Sequence, residues 1–218
     1  MKNLIKKEMT LTASSLTYIF ILFSVTTLIP GYPILVGAFF VCLGIFYSFQ
    51  FSREYNDILF SALLPVKKSD IVKAKYLFTI FIQFISFFIF ALLTVLRITL
   101  LENTAAYTAN PLMRANIAFL GWILIIFALF NIIFLEKFFK TAYYIGKPFV
   151  LFCISAFAVV AAAESIWHFP NLETLATTDS NDFGIQAILL FAGIFVYVSG
   201  TILSCRKSIK NFEKIDLQ

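Results

Sequence analysis

The chain has 218 residues, of which 61% are apolar, 18% aromatic and only 13% charged. Soluble domains run at about 45–50% apolar and about 25% charged, so a large soluble fold is excluded and a polytopic membrane protein is indicated. The formal net charge of +5 comes from cations in short segments between apolar runs. No basic stripe interleaves with aromatics on a soluble face, so nucleic-acid binding is rejected.

The N-terminal segment MKNLIKKEMTL sets Leu4, Ile5 and Met9 beside Lys2, Lys6 and Lys7. It reads as an amphipathic helix on an anionic membrane surface, or as an ordinary positively charged flank. It imitates a signal peptide, but no small-residue cleavage site follows and the segment is expected to be retained. A spanning helix needs roughly 20 mostly apolar residues, and six segments qualify. They are Leu11 to Ile29 (the weakest, with several Thr and Ser), Pro33 to Phe51, Ile71 to Leu96, Ile117 to Leu135, Tyr143 to Ala163 and Ile185 to Ser204. The link Pro30 to Pro33, with Gly31 inside it, predicts a tight turn and an antiparallel hairpin of the first two spans. No long polar linker divides the chain, so residues 1–218 are expected to form a single transmembrane domain.

Between the second and third spans lies the longest charged interval, Arg53 to Tyr76, with a cytosolic segment 53–70 inside it. Read as a helix, Glu54, Asp57 and Ser61 share one face, and Tyr55, Leu59, Ala62 and Leu63 share the other. Asn56 lies between Tyr55 and Asp57. Pro65 breaks the helix, and Ser69 and Asp70 suit the cap and first turn of the next. Lys73 and Lys75 are expected to snorkel at the start of the third span.

Orientation follows from Lys and Arg. With the N-terminus inside, fifteen of the seventeen cations fall on the inner side, and only Arg97 and Arg114 fall outside. The loop after the fifth span carries Glu164, Glu173, Asp179 and Asp182 with no cation at all. The expectation is an all-α membrane protein with six transmembrane helices, N-in and C-in, in a cell membrane. Twenty-eight Phe, and four Arg against thirteen Lys, suit an AT-rich bacterial genome.

Chemistry is sparse. No GxxxxGK[ST] loop occurs, so the chain is not expected to hydrolyse ATP. The one histidine, His168, cannot build a zinc site or serve a nucleophile, and it reads as part of an interfacial belt with Trp167 and Phe169. Cys42, Cys153 and Cys205 form no disulfide framework. The helix middles lack ionisable residues, with Arg97 and Glu136 at helix ends reached by water or headgroups. This argues against a proton- or sodium-driven transporter. Gln83 and Asn131 are the chief mid-membrane polar residues, read as interhelical hydrogen-bonders before substrate-path residues. A membrane protein with no engine, yet with a structured loop, suggests a separate engine.

The loop EYNDILFSALLPVKKSDIVKAKYL resembles that of small ABC-2 type transporter permeases. Their pattern is an acidic–Asn/Asp cluster followed by a Ser-Leu-Pro-Val, basic-basic run into the third helix. Here it reads Glu54, Asn56, Asp57, Ser61 and then Leu64 to Tyr76, with Ala62-Leu63 as extra residues. The segment MKNLIKKE is also similar to the family's opening segment. The resemblance implies a non-catalytic permease subunit that pairs with a second permease, identical or homologous, and with two cytosolic ABC ATPase subunits that hold ATP and magnesium. The chain itself would carry no cofactor. It further implies a coupling helix between helices 2 and 3, docked on the ATPase through Glu54, Tyr55, Asn56, Asp57, Leu59, Ser61, Ala62, Leu63 and Pro65. The family's short form is similar to exporters of amphipathic, antimicrobial or phenol-soluble-modulin-type peptides, with short extracellular helices that would fall in Ser165 to Phe183. Alternative readings are a helix that merely caps the bundle, a solute-capturing subunit of an energy-coupling transporter, a bacteriocin immunity protein and, weakest, a polytopic enzyme.

Overall fold

The structure, a computed structural model, describes residues 2–215 apart from 102, 111, 142, 143, 167, 170 and 171, and apart from the side chains of Ala62, Glu173 and Ser180. The described residues form helices and connecting turns, without strands. Helix α1 (Lys2–Lys7) continues through a π-helical turn, Glu8–Thr12, and α2 (Ser15–Ile21) continues as a 3₁₀ helix, Leu22–Leu28. These two pieces meet at 89°. The first span, expected as one helix from Leu11 to Ile29, is therefore broken. Ser14 makes the break, because its extended backbone and its hydroxyl, which accepts from the Leu16 amide at 3.1 Å, cap α2.

Seven residues at about 1.5 Å and seven at about 2.0 Å give the second piece a length of about 25 Å, short of a hydrocarbon core of about 30 Å. Its 3₁₀ geometry has a local cause. Thr26 and Thr27 donate to carbonyls three residues back, Phe23 at 2.7 Å and Ser24 at 2.8 Å. The freed terminal carbonyls are taken from outside the helix: Arg97 Nη1 donates to Thr27 at 2.7 Å and Tyr107 Oη donates to Leu28 at 2.5 Å. The Arg97 guanidinium also stacks 4.5 Å from the Tyr107 ring. Arg97, expected in reach of water, is instead buried at 4% exposure. A cation there meets the negative end of a helix dipole and its orphan carbonyls together.

The predicted turn is present, with Gly31 at φ +75°. Beyond it α3 (Val36–Glu54) packs against α2 and the 3₁₀ helix that continues it through two glycines. A Cβ at Gly44 would lie 2.5 Å from Phe20 Cβ, and one at Gly37 2.5 Å from Thr26 Oγ1. Small residues let membrane helices approach this closely, and Thr17 uses the approach to donate to the Gly44 carbonyl at 2.6 Å.

After a short helix α4 (Asp57–Leu63) come α5 (Lys68–Leu96), extended by a π-helical turn Arg97–Leu101, and the single turn α6 (Ala105–Thr108). Next, α7 (Ile117–Leu129), a π-helical stretch Phe130–Leu135 and α8 (Glu136–Thr141) run as one rod, followed by α9 (Gly146–Ile166) and α10 (Phe183–Glu213). Among the described residues five helices are long and apolar enough to cross a membrane, and a sixth span results if the bent N-terminal pair counts as one. The last helix runs well past the expected end at Ser204, because the amphipathic RKSIKNFE still buries Ser208 and Phe212. Tyr143, the expected start of the fifth span, lies outside the described residues.

The core mixes aliphatic side chains with a cluster of phenylalanines. Phe49 meets Phe134 and Phe138 edge-on with centroids 5.4 and 4.9 Å apart, and Phe130 meets Phe152 edge-on at 5.1 Å. Gln83 and Asn131 exchange hydrogen bonds of 3.0 and 3.1 Å, Asn131 also donates to Thr201 at 2.9 Å, and Tyr197 donates to Gln83 at 2.9 Å. The expected interhelical role of this pair is thus what the fold displays. The π-helical stretch leaves the Asn131 carbonyl open to Ser204, which donates at 2.6 Å. The α7–α10 seam closes on Gly121 and Gly193, where a Cβ on Gly193 would stand 2.6 Å from the Gly121 oxygen. Backbone cannot yield as a flexible side chain can. Gly193→Val should therefore cost at least about 1–3 kcal/mol, read as a lower thermal midpoint in detergent. Gly184→Ala, where a Cβ meets nothing within 4 Å, should leave the midpoint unchanged.

Candidate functional site

The site forms at the Lys/Arg-rich end of the bundle, where four segments of chain meet. Helix α3 ends at Glu54, and Asn56 takes the left-handed conformation at φ 51° before α4 begins. Asn tolerates that region better than most residues. The helix expected from Arg53 onward is therefore interrupted. Glu54 ends α3, where it accepts from Gln50 at 3.1 Å, and no longer shares a face with Asp57 and Ser61. Pro65 lies exposed in the link to α5, whose cap is Lys67 rather than Ser69, while Asp70 occupies the first turn as expected.

Asp57, Ile58 and Ser61 turn α4 inward. Lys75, only 2% exposed, places its Nζ 2.9 Å from Glu8 Oε2, 2.9 Å from Asp57 Oδ2 and 2.9 Å from Ser52 Oγ. Lys7 Nζ lies 2.7 Å from Asp57 Oδ1, 2.6 Å from Ser61 Oγ and 3.0 Å from Glu8 Oε1. Two cations and two carboxylates thereby balance, and they tie together the N-terminal helix, the end of α3, α4 and the first turns of α5. Lys75, expected to snorkel, does not, because two carboxylates meet it inside the bundle. Lys73 keeps the expected behaviour, about half exposed and 3.7 Å from Asp70.

Burial alone would raise the Asp57 carboxyl, but the adjacent Lys75 and Lys7 outweigh it and hold the group below the usual carboxylate range. Its contribution to stability is thus complete above the unfolded value of about 3.9. It is lost as pH falls through the lowered folded value.

The outward side of α4 and its preceding turn is apolar and bare. Tyr55 is 75% exposed, Phe60 60% and Leu63 80%. Leu59 is half-buried, and the side chain of Ala62 lies outside the described residues. Phe60, which is not among the residues the resemblance names, belongs to this face. Leu11, from the N-terminal helix, borders the same region with Tyr55 and Phe60.

At the other end, two 3₁₀ turns, Glu173–Leu175 and Ser180–Asp182, fill the segment after α9. Asn116 donates to the carbonyls of Leu175 and Thr177 at 2.9 Å each, and Gln186 donates to Thr174 at 3.0 Å and to Thr177 at 2.8 Å. His168 and Phe169 are exposed, and Trp167, their expected neighbour in an aromatic belt, lies outside the described residues. Among the described residues no group of three or more His, Cys, Asp or Glu could hold a metal ion.

The inward cluster joins residues far apart in the chain, and little in the sequence marks it. Glu8 is the one acidic residue of the N-terminal segment, and Lys75 falls on the buried face of α5 with Ile71, Val72 and Phe78. Those two facts were the available signal. The family described as ABC-2 family transporter protein matches residues 3–213, from the N-terminal helix to the end of α10. The chain belongs to that family. No curated protein and no solved structure matches it. In this ABC-2 transporter protein the charged cluster joins Asp57, Ser61 and Lys75, from the stretch that carries the resemblance to permease loops, to Lys7 and Glu8 of the N-terminal segment, and the chain is a membrane subunit of an ABC transporter.

Removing one partner of a buried ion pair costs about 3–5 kcal/mol. Lys75→Met, which strands Glu8 and Asp57, should thus lower the thermal midpoint sharply, whereas Lys73→Met should leave it nearly unchanged. Asp57→Asn should also remove part of the stability lost as pH falls below about 4, read as a flatter acid limb of midpoint against pH.

Proposed function

We propose that this permease works as one transmembrane domain of six spans, N-in and C-in, with α4 as its coupling helix. Two cytosolic ABC ATPase subunits bind below a pair of permeases, identical or homologous, and supply ATP and magnesium. The observation that carries this reading is the division of α4 into two sides. Its inner side is held by Lys7 and Lys75, and its outer side leaves Tyr55, Phe60 and Leu63 bare. A large apolar surface rimmed by charge marks a docking face, and here the rim is Glu54 and Arg53 at the end of α3 with Lys67 beyond Pro65.

Of the residues named from the resemblance, Tyr55, Leu63 and Pro65 would meet the ATPase, with Phe60 added, Leu59 at the edge and Glu54 on the rim. Ala62 keeps its place in the proposal by its position on α4. Asn56 would shape the turn into α4. Asp57 and Ser61 would act from inside, passing the displacement of α4 to Lys75 on α5 and to the N-terminal helix.

The substrate class rests on the resemblance of the loop to small peptide-exporter permeases: amphipathic or antimicrobial peptides moved outward. The solute-capture and immunity alternatives give way to membership of the ABC-2 family.

The test is co-expression with the ABC ATPase encoded beside this chain, followed by purification through a tag on the permease. Phe60→Glu with Leu63→Glu should abolish copurification of the ATPase while the permease remains folded. Asp57→Asn should retain the ATPase but lower its peptide-stimulated turnover. Retention of the ATPase by the Phe60/Leu63 variant would contradict docking through α4.

A further inference from the structure

We propose that the cleft between α5 and α10 at the Lys/Arg-rich end of the bundle is a binding site for one anionic phospholipid, its phosphate held between Lys73 and Arg206 and one acyl chain laid along the cleft. This goes beyond the transport reading and does not depend on it. The cleft has a volume of about 380 Å³, with Lys73, Tyr76 and Ile80 of α5 on one wall and Ile202, Cys205 and Arg206 of α10 on the other. That volume is within the range of about 300–1,000 Å³ usual for ligand clefts.

Its two ends differ in chemistry. The cations stand at one end, where α5 begins and α10 approaches its own end, and the walls beyond them are apolar. From Lys73 to Ile80 the cleft runs about 10 Å along the helix. Ile80 then leads into a smaller cleft of about 60 Å³ between Phe84, Phe87, Leu124 and Phe127. Together they reach the depth of one leaflet, about 15 Å of hydrocarbon.

Charge decides the occupant. Arg206 is exposed and makes no ion pair among the described residues, and Lys73 has only Asp70 at 3.7 Å, so both have donors to spare. Lys207 and Lys210 follow within the next turn. A second copy of the chain packed symmetrically through this cleft would bring the same cations toward each other, because a two-fold interface sets a patch against itself. A phospholipid brings the missing anion and an apolar chain in one molecule. Basic pockets between membrane helices are suited to anionic headgroups.

The full chain, purified in mild detergent, would be titrated with phosphatidylglycerol and with phosphatidylcholine of the same acyl chains, and retained lipid counted by native mass spectrometry. Wild type should hold one phosphatidylglycerol at least tenfold better than phosphatidylcholine, and excess inorganic phosphate should not displace it. Lys73→Gln with Arg206→Gln should bring the two lipids to parity. Ile202→Trp, which fills the cleft and leaves both cations in place, should lose the bound lipid. Lys207→Gln with Lys210→Gln removes the same charge outside the cleft and should retain the preference. Parity in wild type, equal loss in the Lys207/Lys210 control, displacement by phosphate alone, or a Cys205–Cys205 disulfide formed between two copies on mild oxidation would each overturn the proposal.

Discussion

The structure depends on the buried ammonium of Lys75. A charge taken from water into a helix bundle costs several kcal/mol unless it is paired and hydrogen-bonded. Lys75 is satisfied only when Glu8 arrives from the N-terminal helix, Asp57 from α4 and Ser52 from α3. These residues lie 67, 18 and 23 positions away along the chain. One side chain thus fixes the relative placement of elements that local sequence leaves undetermined. It also explains why α4, only seven residues long, holds a defined orientation despite an apolar outer face. Helices this short are marginal by themselves in water.

A second fixed point lies at the opposite end. Arg97 and Tyr107 close the carbonyl end of the 3₁₀ helix that stands in for a regular first span. Between these ends, Gln83, Asn131, Tyr197 and Thr201 link α5, the α7 rod and α10 by mutual hydrogen bonds. In an apolar medium such bonds orient helices that would otherwise slide on one another. The bundle is therefore joined at three depths, and α4 meets α5 through the Asp57–Lys75 ionic contact as well as through the connecting link.

Much of this was legible from the residues alone. Apolar runs located the five long helices, Gly31 marked the hairpin, and Gln83 with Asn131 stood out as polar residues needing partners. The loop from Glu54 to Tyr76 carried the family. What escaped were contacts between residues distant in sequence. Periodicity placed Lys75 near a membrane boundary, where snorkelling is the usual outcome, and nothing local pointed to Glu8. The single helix expected from Arg53 failed at Asn56, where a left-handed backbone overrode a continuous pattern. In the first span the many Thr and Ser mark a weak helix, but their consequence, hydroxyl back-bonding into a 3₁₀ helix with a break at Ser14, depends on the packed structure.

The central claim is that α4 communicates with the spanning helices through the Asp57–Lys75 contact. The most direct measurement is a double-mutant cycle, Asp57→Asn with Lys75→Met, read as peptide-stimulated turnover of the copurified ATPase. The account predicts that each single variant loses most of the stimulation and that the double variant loses little more than either, as expected for two residues acting as one contact. Additive losses, or full stimulation in both single variants, would contradict it.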